Sequence, residues 1–186
     1  MVFVRKNLLS PVSMKTISRL ALLTIFTAAL VSCGKIQTLP DVPKIEYTNF
    51  TVFDTIDILG NSAKGGRLKF YFQDGDGDIG LPAPTPEGEG DSINLFLTLY
   101  RMKNGVMGLA PDNDPLKPSG YRIPYMETVG QNKILKGTIS VTFFYLFYSE
   151  NDTIRYDFFV KDRADNVSNT ISTSAIPVFY NGVYEK

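Results

Sequence analysis

The chain is predicted to be all-β, an antiparallel immunoglobulin-like β-sandwich of about seven strands occupying residues 44–186. Three observations carry that prediction. Beyond residue 44, apolar residues alternate with polar ones at period 2 in run after run, as strands with one buried face require. Turns rich in Gly, Pro, Asp and Asn separate the runs, and no segment beyond the first 32 residues keeps a 3.6-residue apolar period. Most of the 13 Phe and 10 Tyr of the 186-residue chain fall in this region. A domain of about 140 residues buries roughly two-thirds of its unfolded surface, so one core of this kind suffices.

The first strand is expected over Ile45 to Phe53. In the second, Leu68, Phe70 and Phe72 alternate with Arg67, Lys69 and Tyr71. In the third, Ile93, Leu95, Leu97 and Leu99 form the core face and Asn94, Phe96, Thr98 and Tyr100 the other. A fourth run sets Ile139, Val141, Phe143, Tyr145 and Phe147 inward, and a fifth does the same with Ile154, Tyr156, Phe158 and Val160. A turn from Asp162 to Asn166 leads into a last strand through Val167, Asn169 and Ile171. Tyr156 has the position of a tyrosine corner or of one more inward aromatic; the corner needs a backbone partner for its hydroxyl. Between the third and fourth runs, Asn104 to Lys133 carries Pro111, Pro115, Pro118 and Pro124 and is longer than a hairpin needs. Its Tyr121 and Tyr125 could stack on a sugar or peptide, or cap the core beside a short edge strand.

Residues 1–32 contain Arg5, Lys6, Lys15 and Arg19 but no acid, and lead into an apolar run from Leu20 to Leu30. A basic segment followed by about 11 apolar residues fits a secretory signal peptide, being well short of the roughly 20 residues that span a bilayer as a helix. The run ends in Leu30-Val31-Ser32-Cys33-Gly34, which resembles the lipobox of bacterial lipoproteins. That resemblance implies a lipid on Cys33, the single Cys of the chain, and attachment to a membrane through it. Residues 33–43, with Pro40 and Pro43, then read as a tether.

Composition excludes several chemistries. With no His and one Cys, the chain holds no Ser-His-Asp triad, no Cys-His pair, no internal disulfide and no thiolate metal cluster. From Cys33 onward there are 15 Lys and Arg against 19 Asp and Glu, a net charge of −4, and no basic cluster of the kind that phosphate backbones require, so nucleic acid is not an expected partner.

The strongest constellation is Asp74-Gly75-Asp76-Gly77-Asp78-Ile79-Gly80. Carboxylates at i, i+2 and i+4, separated by glycines that let the backbone turn tightly, suit a hard cation, and calcium takes six to eight oxygens. The spacing is not that of an EF-hand, whose sixth and twelfth positions would be Gly and Glu but are Ile79 and Thr85 here. From Asp74 to Asp91 the segment carries six acids and no Lys or Arg, so either a cation or full hydration must relieve the repulsion. In an immunoglobulin-like sandwich this loop and the one holding Asp162, Asp165 and Asn166 emerge at the same end, which makes all six residues candidate ligands. The alternative is that Asp-Gly repeats are simply good solvated turns.

The stretches Phe72 to Leu81 and Lys161 to Asn169 give most of this region a resemblance to Bacteroidota-type envelope lipoproteins of unknown function. That resemblance implies a lipid-anchored immunoglobulin-like domain at the outer membrane, on its periplasmic or its surface face, and no established reaction. The second stretch also resembles the Asp-x-x-Gly-Asn hairpin of bacterial immunoglobulin-like modules, with Asp165 in place of Gly: a strained turn or an added ligand oxygen. Asp54-Thr55-Ile56, Asp91-Ser92-Ile93 and Asp152-Thr153-Ile154 look like O-glycosylation acceptors of that group, at Thr55, Ser92 and Thr153, although such triplets also merely open strands. The expected function is therefore non-catalytic: binding of an envelope protein or glycan, with calcium stiffening the acidic loop. A carbohydrate-binding accessory protein of a glycan-uptake system is the alternative, with Tyr121 and Tyr125 as its platform. A glycoside hydrolase is disfavoured, because it needs two acids about 5 to 9.5 Å apart, one of them with a raised pKa in a partly buried site, whereas Asp74, Asp76 and Asp78 are expected together on one exposed loop without an apolar pocket wall.

Overall fold

Inward alternation builds two sheets. The computed structural model describes residues 39–85, 93–128 and 133–186; Cys33, Ser92 and residues 1–32, where a signal peptide is expected, lie outside the described residues. Among the described residues there are nine strands and no helix: β1 (Lys44–Ile56), β2 (Ser62–Asp74), β3 (Leu95–Lys103), β4 (Val106–Leu109), β5 (Leu135–Tyr145), β6 (Thr153–Val160), β7 (Ile171–Ser172), β8 (Ile176–Pro177) and β9 (Gly182–Glu185). One sheet has the order β5-β2-β1-β9 and the other β4-β3-β6-β7, with β8 also paired to β6; every strand pair is antiparallel. The described strands belong to a single unit, Thr38–Lys186.

The sheets meet through the residues that alternation turns inward. Phe70 of β2 packs on Phe158 of β6 with ring centroids 5.3 Å apart, and Phe143 of β5 stacks on Tyr156 of β6 at 5.4 Å. Leu68, Phe70, Phe72, Ile154, Tyr156, Phe158 and Val160 are all buried, so the runs in β2 and β6 sit in the expected phase. Removing this apolar surface from water is the main favourable term in holding the sheets together, at about 25 cal/mol per Å². The Tyr156 hydroxyl is satisfied 40 residues upstream, by the Leu116 carbonyl at 3.0 Å, and by the Tyr145 hydroxyl at 3.0 Å. Its partner is thus a loop that crosses the flank of the core, and Tyr156 is an inward aromatic, because a tyrosine corner closes on backbone only a few residues away.

The structure corrects the strand inventory in four places. There are nine strands rather than seven, because β8 and β9 are too short to show a period. The core phase of β3 is offset at its start: Asn94 is fully buried and Ile93 is exposed. The reason is local, since Asn94 N and Leu95 N both donate to the Tyr121 carbonyl, at 3.0 and 2.9 Å, and this bulge-like doubling turns two consecutive side chains inward. β5 ends at Tyr145, so Phe147 escapes the alternation and is 72% exposed. Val167 makes only an isolated bridge with Lys161, and the last part of that segment forms a strand no earlier than Ile171.

The long connection begins with a two-residue hairpin. Asn104 and Gly105 have φ of 52° and 78° and join Lys103 to Val106, so β4 is a short edge strand. Past it, the chain returns over the core as a strap. Arg101 of β3 holds the strap by pairing with Asp114 at 3.1 Å and with Asp152 at 2.5 Å, while Asp114 also accepts a hydrogen bond from Leu116 N. Asp114 is nearly inaccessible, so Arg101→Met, which strands that carboxylate without a counter-charge, is expected to cost about 3 kcal/mol in a urea melt. A loss below about 0.5 kcal/mol would show that the strap does not depend on the pair.

Candidate metal centre

β2 delivers the first carboxylate. Asp74 is its last residue and continues the inward phase of Phe70 and Phe72, which makes it fully buried. Its Oδ2 accepts hydrogen bonds from Asp78 N at 2.8 Å and Ile79 N at 2.9 Å, closing the acidic loop around it. Two glycines make that closure feasible. Gly77 has φ of +74°, and a Cβ there would lie 2.0 Å from the Lys133 carbonyl oxygen. Gly75 donates its N–H to the Pro40 carbonyl at 3.0 Å, and a Cβ there would lie 2.4 Å from the same oxygen. The loop is therefore packed against Leu39-Pro40 and against Lys133 and is not a free surface turn.

Among the described residues three buried carboxylate oxygens are left without partners: Oδ1 of Asp74, of Asp76 and of Asp78. Ligand oxygens of the three side chains lie within 4.8 Å of one another. That is the reach of one calcium ion, since oxygens about 2.4 Å from a common ion are at most about 4.8 Å apart. Burial and the nearby charges of Asp76 and Asp78 push Asp74 up to about 6, against the two backbone N–H donors that favour its charged form. Asp78 is raised as well, by burial and then by the charges of Asp162 and Asp76, with Arg163 opposing. Carboxylates that resist ionisation in this way gain most from a cation, which supplies the missing counter-charge and fills the empty lone pairs.

The second acidic loop meets the first but keeps its own oxygens. Arg163 N donates to the Asp78 carbonyl at 3.3 Å, and the Arg163 guanidinium donates to the Gly80 carbonyl. Asp162 is buried, and its two oxygens accept from Asn166 N at 2.8 Å and Asn166 Nδ2 at 2.9 Å. Asp165 faces Lys161 at 2.8 Å and has φ of 67°, so a side chain sits in the left-handed region that favours Gly. Of the six candidate ligands, Asp74, Asp76 and Asp78 come together; Asp162 contributes charge from behind, while Asp165 and Asn166 are engaged within their own turn.

The other candidates are dispersed. Tyr121 is half-buried, its ring edge-on to Phe143 at 5.3 Å, and Tyr125 is 54% exposed with the Arg163 guanidinium 5.1 Å from its ring centroid. One ring is committed to the core and the other to a cation. Thr55 and Thr153 are partly exposed and lie within β1 and at the start of β6, and the preceding Asp54 and Asp152 are ion-paired to Lys64 and Arg101.

One positioning residue escapes sequence reasoning. Asn94 Nδ2 donates to the Ile79 carbonyl at 2.6 Å, its Oδ1 accepts from Ile123 N at 2.7 Å, and its own carbonyl accepts from Lys161 N at 2.8 Å. It thereby ties the acidic loop, the strap and the end of β6 to one point. No pattern in the chain marks it, because the alternation around it predicts an outward side chain.

Fold and site together define a two-sheet, all-β domain with a partly buried acidic cluster at one loop end. Comparison of the chain with protein-family models, with curated proteins and with solved structures found no match.

Proposed function

We propose that the chain is a lipid-anchored protein of the cell envelope, attached to the outer membrane through Cys33, whose immunoglobulin-like domain binds a partner and is stiffened by calcium at Asp74, Asp76 and Asp78. Two observations carry the calcium reading: Asp74, Asp76 and Asp78 each bring a carboxylate oxygen within 4.8 Å of the others, and each has a buried oxygen without a partner among the described residues. Buried polar atoms without partners are rare in folded proteins, and each such group asks for an explanation, an ion being one. Calcium suits the donors better than magnesium, which demands near-ideal octahedral geometry and keeps several waters. Three side-chain oxygens leave three to five positions for carbonyls and water.

The sheet order supports the immunoglobulin-like reading. β5, β2 and β1 share one sheet while β3 and β6 sit side by side in the other, as strands E, B, A and C, F do in that sandwich. Binding is favoured over glycoside hydrolysis because the clustered oxygens lie closer than the roughly 5 Å minimum at which two carboxyls flank a glycosidic bond. The placement of Tyr121 and Tyr125 does not favour a glycan platform.

Thermal melts of the full chain in detergent, with millimolar calcium, with magnesium and with chelator, test the proposal. A ligand that binds only the folded state adds RT ln(1 + [L]/Kd), about 2.7 kcal/mol at 100-fold excess over Kd. For a domain of this size that is a rise of roughly 5–10 °C, specific to calcium. Superimposable melts in calcium and chelator would refute it.

A further inference from the structure

We propose that the outer edge of β5 is a docking site for an extended acidic segment of a partner protein, which pairs with residues 136–142 as an added strand. This rests on no part of the calcium reading. Among the described residues β5 pairs with β2 alone, over eleven consecutive positions from Asp74–Leu135 to Lys64–Tyr145 with no register shift. Soluble proteins blunt such edges with short strands, bulges, proline or charge. The edge strands β4 and β9 are four residues each, whereas β5 is long, regular and free of proline, with Lys136 its one charge. At its far end, Pro115 to Pro118 and Tyr121 line a small cavity with Phe143, Phe144 and Tyr145, so the open stretch ends near Thr142.

Charge identifies the occupant. On the outer face, Lys136 stands beside Gln73, Ser140 beside Lys69 and Thr142 beside Arg67, which sets three cations along the edge of a region whose net charge is −4. Lys69 and Lys136 make no ion pair with a described residue, and Glu46, on the same face of β1, is already paired to Lys44 at 3.3 Å. A second copy paired through β5 would bring two such basic rows onto one continuous face, so like-charge repulsion argues against self-association. An acidic strand gains both the backbone hydrogen bonds and the complementary charge. Beyond Thr142, Phe144 and Leu146 join Ile56, Asp57 and Ile58 around an open, mostly apolar groove of about 410 Å³, in which the Asp57 carboxylate is already taken up by Leu59 N, Asn61 N and Asn61 Nδ2. That groove would seat an apolar residue following the paired stretch.

The test is selection of a displayed random library of twelve-residue peptides on the full chain in detergent at low salt. Enriched sequences are expected to carry Asp or Glu at alternate positions with an apolar residue at one end. A labelled synthetic example should bind at least tenfold more weakly when alternate backbone nitrogens are methylated, and at least tenfold more weakly to the Lys69→Glu, Lys136→Glu double variant. Both substitutions are on the solvent face, and a melt confirms that the variant folds. The proposal is overturned by no enrichment, by binding indifferent to methylation or to the charge reversal, or by a wild-type chain that sediments as a dimer, which would assign the edge to a second copy.

Discussion

Replacing Asp74 with Asn is expected to raise the melting temperature of the calcium-free protein by roughly 3–10 °C and to abolish its response to calcium. A substitution that removes a buried charge usually breaks something; here it removes a conflict. Asp74 is fully buried, and its Oδ2 is occupied by two backbone donors while its Oδ1 has no partner among the described residues and two further carboxylates crowd the side chain. Asn keeps an oxygen for the backbone N–H groups and turns an amide donor toward Asp76 and Asp78. A shift of the Asp74 pKa from 3.8 to about 6 corresponds to an upper bound of about 3 kcal/mol carried by the ionised form at neutral pH. A fall in melting temperature in chelator would contradict the account.

The same group sets a pH dependence whose sign follows from linkage. Its folded pKa lies above the unfolded one, so the folded state binds the proton more tightly. The stabilisation is fully present below about pH 3.8 and is lost as pH rises through about 6. In chelator, this carboxyl alone makes the protein less stable at pH 7 than at pH 5, and the Asn variant lacks that component. With calcium present the sign reverses, because protons compete for the ligand oxygens and the calcium-induced rise fades between pH 7 and pH 5. Paired melts of the two proteins across that range isolate the Asp74 contribution from the other carboxylates.

Asn94→Ala is expected to be the most damaging single polar substitution considered, at about 2–5 kcal/mol, or roughly 5–15 °C in melting temperature. Truncation leaves the Ile79 carbonyl and the Ile123 N–H buried without partners, each costing about 1–3 kcal/mol. Because Ile79 N is also one of the two donors to Asp74, loosening this residue is expected to weaken calcium binding about 3–10-fold as well. Equilibrium unfolding and calcium titration report the two effects separately; a loss under 1 kcal/mol would mean that water replaces the Asn94 contacts.

Much of the fold is legible in the chain because alternation is a local consequence of burying one face. Leu68, Phe70 and Phe72 declare β2, and Ile154 to Val160 declare β6, with no knowledge of what each packs against. Extending the β2 pattern by one step would also have put Asp74 on the core face, and Asn104-Gly105 carried a hairpin signal inside what reads as a long loop. The short strands were not legible in this way. Two residues of β8 and four of β9 are strands because β6 and β1 offer them free edges, which is a property of the sheet rather than of their own side chains. The phase error at Ile93 and Asn94 has the same origin, since the doubled hydrogen bond to Tyr121 comes from a segment 27 residues away from Asn94.

By itself, then, the chain determined which chemistry is available and where the acids lie: with no His and one Cys, oxygen ligands dominate, and the Asp-Gly repeat puts three carboxylates within five residues. Tertiary structure decided what those carboxylates experience. Pro40 and Lys133 wall the loop, Asn94 anchors Ile79, and Asp162 adds its field from the neighbouring turn. Desolvation and Coulomb repulsion act through space over several ångströms, so they sum over segments that are far apart in the chain, whereas alternation and turn propensity are set by neighbours along it.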